Sequence, residues 1–205
     1  MVDVPRRDSP ADPGFFPSLV GTNERTSRWV LVLIGLAAVV VLSLQEPGRL
    51  AADTKLDLVV DPVGLLTRSL HLWDPSAGFG QLQGQVQGYL FPVGPFFVLG
   101  DALGLPMWWV QRAWMGLILA VACAGTIRLA EELGIGRRAT RIVGGLAYAL
   151  APTLIILIGP LSVLALVAAL APWSVVPLVR GARAGSPMRA AARSGVAISL
   201  MGGIN

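Results

Sequence analysis

Charge is scarce in this sequence. Asp, Glu, Lys and Arg make up 14% of its 205 residues, against about a quarter in a typical soluble domain, too little to clothe a solvated surface. Cysteine is scarcer still. Cys123 stands alone inside an apolar run, which excludes a disulfide framework and any CxxC metal or redox motif and leaves a packed small residue. His71 is the only histidine, so no multi-histidine metal centre exists, and a Ser-His-Asp triad would have to be built on this one ring. Hydrocarbon, by contrast, is abundant. Apolar residues reach 54% and mean hydropathy is +0.68, so the solvent for most of the chain is lipid. A net charge of +4 and a pI near 10.2 do not make it a nucleic-acid binder, because the arginines fall in short groups between apolar runs.

These runs predict an all-α, polytopic membrane helix bundle. Trp29 to Leu44 is almost wholly aliphatic and close to the ~20 residues of a helical crossing. A long polar stretch precedes it and Gln45-Glu46-Pro47-Gly48 lacks a small-residue cleavage pattern, so it reads as an uncleaved anchor and not as a signal peptide. Met107 to about Ile127 is a second span, broken only by Arg112 and opening with the interface-loving Trp108, Trp109 and Trp114. Ile142 to Val179 runs without a charge and is nearly twice the length of one crossing at ~1.5 Å per residue. It must therefore cross twice, turning at Gly159-Pro160 into spans of about Ile142–Ile158 and Leu161–Val179. Ser194 to Asn205 begins another apolar run. Four complete spans plus the start of a fifth are expected, as part of something larger.

Arginine placement orients these spans. Arg6, Arg7, Arg25 and Arg28 precede the first, Arg128, Arg137, Arg138 and Arg141 lie between the second and third, and Arg180, Arg183, Arg189 and Arg193 follow the fourth. Twelve of the sixteen basic residues thus fall on one side, which the positive-inside rule makes cytoplasmic. Residues 1–28 become a cytoplasmic tail, and the outer loop of about 46–105 falls on the far side. The same parity makes Leu90 to Gly100, apolar but short and carrying Pro92, Gly94 and Pro95, an interfacial or re-entrant segment.

The long loop is where function is expected to sit. Asp53, Asp57 and Asp61 are spaced four apart, which on one continuous helix would stack three like charges, so something must break that face or neutralise it. Asp61 before Pro62 fits an N-cap with proline at the first helical position, opening an interfacial helix that extends to Trp73, with Arg68 and His71 as its polar contacts. Asp53 and Asp57 remain. A carboxylate at the outer surface can serve as a general base for a sugar hydroxyl, although the plain structural reading is a solvated acidic loop. Side-chain amides and aromatics bond and stack on sugars, so Gln83 in the Gly/Gln stretch, Tyr89, Trp73 and the neighbouring Asp74 are candidate substrate contacts. The bland alternatives are a flexible connector and a turn residue before Pro75. Arg112 is costly against lipid, so it should face a cavity or snorkel to the interface, with an anionic lipid phosphate as a natural partner.

Three ordered motifs, Asp53-Thr-Lys-Leu-Asp57-Leu, Leu72-Trp-Asp-Pro75 and Gly88-Tyr-Leu-Phe-Pro-Val-Gly-Pro-Phe-Phe97, resemble the N-terminal region of the AftD-type alpha-(1->3)-arabinofuranosyltransferases. These are GT-C membrane enzymes of actinobacterial cell-wall assembly. The resemblance runs from the first span to the end of the chain. It implies a partial GT-C transmembrane domain over 29–205 and transfer of arabinofuranose from a polyprenyl-phosphate donor to an arabinan acceptor, with inversion. The single base such chemistry needs carries over to Asp53, with Asp57 second, and Lys55, Arg68 and Arg112 become the cations facing the lipid phosphate. No dedicated metal constellation stands in the sequence, though grouped aspartates leave room for a hard divalent cation. Family members are several times longer, so little autonomous activity is expected of these residues alone. The alternative is a non-catalytic membrane piece of a scaffold or transporter, which would place charges or broken helices at mid-membrane depth.

Overall fold

The computed structural model describes residues 26–51, 55–75, 79–82 and 86–202. Helix α1, Arg28–Ser43, leads into the loop, which holds α2, Asp57–Val60, and α3, Pro62–Ser69. Two residue pairs, β1 Trp73–Asp74 and β2 Gln81–Leu82, then form a minimal antiparallel ladder with Trp73 opposite Leu82. A 3₁₀ turn at Gln87–Tyr89 and α4, Val93–Ala102, close the loop. The bundle continues with α5, Met107–Leu133, α6, Arg138–Ala149, α7, Pro152–Ile158, α8, Ser162–Ala184, and α9, Pro187–Ser199.

The apolar runs become these helices because lipid leaves a backbone no hydrogen-bond partner but itself. Helices α5 and α8 are each long and apolar enough to cross a membrane, and α6 with α7 reaches that length only as a pair bent by 47°, the geometry of a broken span or a re-entrant loop. The bend falls where Pro152 opens α7 and cannot donate back to the preceding turn. Helix α1 has 16 residues, about 24 Å of rise, and is the shortest of the four expected spans. The turn at Gly159-Pro160 lies where the sequence put it, between α7 and α8. The last helix, however, starts at Pro187 and not at Ser194. Arg189 and Arg193 break its apolarity but sit four residues apart, so they share one face and leave the other to pack on α8.

Helix α5 is the axis, with α1, α6 and α8 packed on it. Apolar burial cannot drive helices together in hydrocarbon, so close contact must, and small residues provide it. A methyl on Gly116 would lie 2.9 Å from the Val39 Cα, and one on Gly145 would lie 2.8 Å from the Cys123 carbonyl oxygen. Ile118, Ala122, Ile127, Ala165 and Ala169 are fully enclosed between these helices. Pro172 sits inside α8 and leaves the Ala168 carbonyl without its helical donor. The Tyr148 hydroxyl of α6 donates to that oxygen at 2.7 Å.

The bundle's two ends differ. At one, the backbone N–H of Thr26 reaches the Glu131 carboxylate at 2.5 Å, Arg128 pairs with Glu131 at 2.8 Å, and Arg180 pairs with Glu132 at 2.6 Å. This end gathers the start of α1, the end of α5 and the end of α8. The loop elements occupy the other end, where α4 lies antiparallel beside the first turns of α5. There the Phe96 ring is 5.1 Å from Trp114, and a methyl on Gly100 would meet Val110 at 2.6 Å.

Candidate active site

Asp61 has an extended backbone, φ −149 and ψ 72, and its side chain accepts from the Gly64 N–H at 2.8 Å, with Pro62 opening α3 behind it. This is the predicted N-cap. The helix it starts is shorter than expected, ending at Ser69 instead of reaching Trp73. Thr67 and Ser69 turn their hydroxyls back onto the carbonyls of Val63, Gly64 and Leu65, and Trp73-Asp74 is drawn into the ladder with Gln81-Leu82. Half of the Trp73 side chain stays exposed, while its indole lies over Gly80, whose φ of +93 brings the backbone close under the ring.

The break at Asp61 separates α2 from α3 and so disposes of the stacked-aspartate problem, and Arg68 completes the answer. Its guanidinium bonds Asp57 at 3.0 Å and Asp61 at 3.4 Å, which gives each carboxylate a fixed cation. The three side chains are 35%, 61% and 54% exposed respectively, so this network is worth well under ~1 kcal/mol per pair and acts to position more than to stabilise. Among the described residues, no three of His, Cys, Asp or Glu converge as a metal site would require. His71 is exposed.

The root of the loop is held from the membrane. The Gln111 carboxamide, 3% exposed, makes a reciprocal pair with one residue: the Ala51 N–H donates to its oxygen at 2.8 Å, and its nitrogen donates to the Ala51 carbonyl at 2.8 Å. A primary amide can do this because it offers donor and acceptor side by side, as a neighbouring strand would. The next residue, Arg112, is 8% exposed. Its guanidinium touches the Met115 sulfur at 3.6 Å and donates to the Arg49 carbonyl at 3.4 Å, and its Nε has no partner among the described residues. A buried guanidinium with so few acceptors among the described residues is a ready seat for an anion.

Of the residues singled out in the sequence, Asp53 and Gln83 lie outside the described residues. Lys55 is half-buried beside α2, and Asp74 is half-buried in the ladder. Tyr89 is enclosed at 5% exposure alongside Val93 and Phe97, a packing position instead of an open sugar platform. The structure joins Asp57, Asp61 and Arg68 in one network, and gathers Arg112 with Arg49 and Ala51 in another. Gln111 carried no signal in the sequence, since a lone amide in a tryptophan-rich first turn belongs to no pattern.

The family described as Alpha-(1->3)-arabinofuranosyltransferase, N-terminal GT-C domain, matches residues 37–205. The chain belongs to this family. It is 42% identical over 182 residues to the alpha-(1->3)-arabinofuranosyltransferase of Mycobacterium tuberculosis H37Rv, covering 87% of this chain and 13% of that protein. The enzyme of the same name from Mycolicibacterium smegmatis is 43% identical over 174 residues, 84% of this chain and 12% of the relative. The cryo-EM structure of the arabinofuranosyltransferase AftD from Mycobacteria superposes with a TM-score of 0.81 at 42% identity, over 88% of this chain and 14% of that one. The chain therefore spans about an eighth of the length of these relatives. Its fold is that of the AftD N-terminal GT-C region, a membrane helix bundle carrying a structured loop between the apolar helices α1 and α5.

Proposed function

We propose that this chain forms the loop-bearing wall of a membrane arabinofuranosyltransferase, which moves arabinofuranose from a polyprenyl-phosphate donor to a cell-wall arabinan. The observation that carries the reading is Arg112, a buried cation at the root of an acidic loop whose Nε has no partner among the described residues, a group suited to the phosphate of a lipid donor. Asp53, two residues beyond the clamped Ala51, is assigned as the base that takes the acceptor hydroxyl proton. Arg112 and Lys55 face the departing phosphate, whose charge grows as the sugar leaves. Arg68 is already engaged by two carboxylates, so it orients Asp57 instead of holding the donor. Trp73, Asp74 and Gln83 are assigned to contacts with the acceptor.

Arginine placement supports an outward-facing loop, with residues 1–28 in the cytoplasm and the loop of about 46–105 outside. The activity belongs to the chain in its full-length context, since the relatives that bear the name are far longer.

Substitution in the full-length protein tests this assignment. Asp53→Asn is expected to lower arabinofuranosyl transfer by about 10²- to 10⁴-fold while membrane insertion is unchanged. Asp57→Asn retains most turnover, and Arg112→Gln raises the KM for the lipid donor more than it lowers kcat. Undiminished transfer by Asp53→Asn would remove the assigned base.

A further inference from the structure

Two consecutive side chains of α5 reach one short stretch of the loop's stem. Gln111 closes on both backbone groups of Ala51, and Arg112 donates to the Arg49 carbonyl. We propose that Gln111 is a positioning residue for donor binding, which orients the Arg112 guanidinium by fixing the carbonyl on which that guanidinium leans. This role rests on the assignment of Arg112 to the phosphate of the lipid donor, and it falls to a side chain that does not itself touch the donor.

Arg112 is loosely held. Its bond to the Arg49 carbonyl is 3.4 Å long and its contact with the Met115 sulfur 3.6 Å, and contacts of that length orient a group weakly. The guanidinium is therefore only as well placed as the carbonyl it faces. That carbonyl belongs to a stretch that has just turned away from α1 through two left-handed residues, Glu46 at φ 43 and Gly48 at φ 81. The Arg49 side chain adds little anchorage, because its 3.5 Å pair with Glu46 is 76% and 67% exposed. Gln111 is different. It is 3% exposed, and its two bonds to Ala51, each 2.8 Å, are shielded from competing water. They pin the chain two residues from Arg49 and so keep that carbonyl against α5. A guanidinium is a rigid planar fork, so fixing one of its nitrogens also sets the direction of Nε, which has no partner among the described residues.

Kinetics of the full-length protein separate placement from folding, with a polyprenyl-phosphate arabinofuranose as donor and an arabinan oligosaccharide as acceptor. A smaller folded fraction lowers the apparent kcat and leaves both KM values alone, whereas a misplaced cation raises the donor KM. Gln111→Leu is expected to raise the donor KM by about three- to tenfold, and Gln111→Asn, its amide one methylene too short to meet both groups of Ala51, by about twofold. The acceptor KM should hold in both, and Gln111→Asn supplies the measurement should the leucine variant fail to fold. Added to Arg112→Gln, Gln111→Asn should raise the donor KM no further, since a residue that acts through Arg112 then has nothing to act on. A wild-type donor KM in the Gln111 variants, or effects at 111 and 112 that multiply, would overturn the proposal and leave Arg112 its role. A donor KM that ignores Arg112→Gln would instead remove the phosphate seat itself, and the role of Gln111 with it.

Discussion

Among single residues, Gln111 does the most that sequence patterning could not show. Its carboxamide satisfies both backbone groups of Ala51, so Gln111→Leu strands a buried donor and a buried acceptor together. The expected cost is roughly 2 to 4 kcal/mol, read as a lowered Tm of the purified protein and as new protease cleavage between Arg49 and Leu56. Gln111→Glu sets a buried carboxylate oxygen against the Ala51 carbonyl and should cost at least as much. The contrast with Asp61 explains why some of the site was legible in the sequence and some was not. An N-cap is local, written in a polar residue, a proline and a helix that follows at once, and such grammar survives any tertiary context. The Gln111 pair joins residues 60 apart in the chain, and the Arg68 network spans 11 across a helix break. No periodicity encodes either.

Helices were more legible than sites, because hydrocarbon enforces their length and leaves little choice of partner for the backbone. The Gly159-Pro160 turn was readable for that reason. The true start of α9 at Pro187 was not, since two arginines interrupt the apolar run that signals a span. The Trp73-Asp74 ladder depends on a partner strand and had no local signature. Between helices, the contacts predict their own sensitivities. Tyr148→Phe leaves the Ala168 carbonyl beside Pro172 with no donor, and should cost about 1 kcal/mol, measured by reversible unfolding in mixed micelles. Gly116→Leu drives a side chain into the Val39 backbone and should cost about 2 kcal/mol or more through separation of α1 from α5. Gly195→Ala, which meets nothing within 4 Å, should be neutral or slightly stabilising. A Gly116→Leu protein as stable as the wild type would mean that α1 is not seated on α5.

For the whole molecule, the two ends of the bundle carry different chemistry, acidic and structured at the loop, basic at the far end, and the proposed orientation makes this a difference between membrane faces. Cys123, the one cysteine of this sequence, is buried at 1% exposure, so it does not compete for a thiol label. Leu72→Cys is expected to react with an impermeant maleimide added outside intact cells, and Ala184→Cys only after the membrane is opened, both positions being exposed. The reverse pattern would invert the orientation and with it the side on which transfer occurs. The proposed orientation rests on arginine counts alone, whereas the fit of the loop onto α5 needed the folded chain.

The Gln111–Ala51 pair also bears on how such a protein is made. Ala51 leaves the ribosome first, just behind α1, and its partner follows 60 residues later on α5, a helix long and apolar enough to be threaded into the bilayer. Until then the stem of the loop has no amide to close upon. The final shape of that stem is therefore acquired only after α5 is in place, and a chain whose α5 fails to insert would display its acidic segment unanchored, open to the quality-control proteases of the membrane surface.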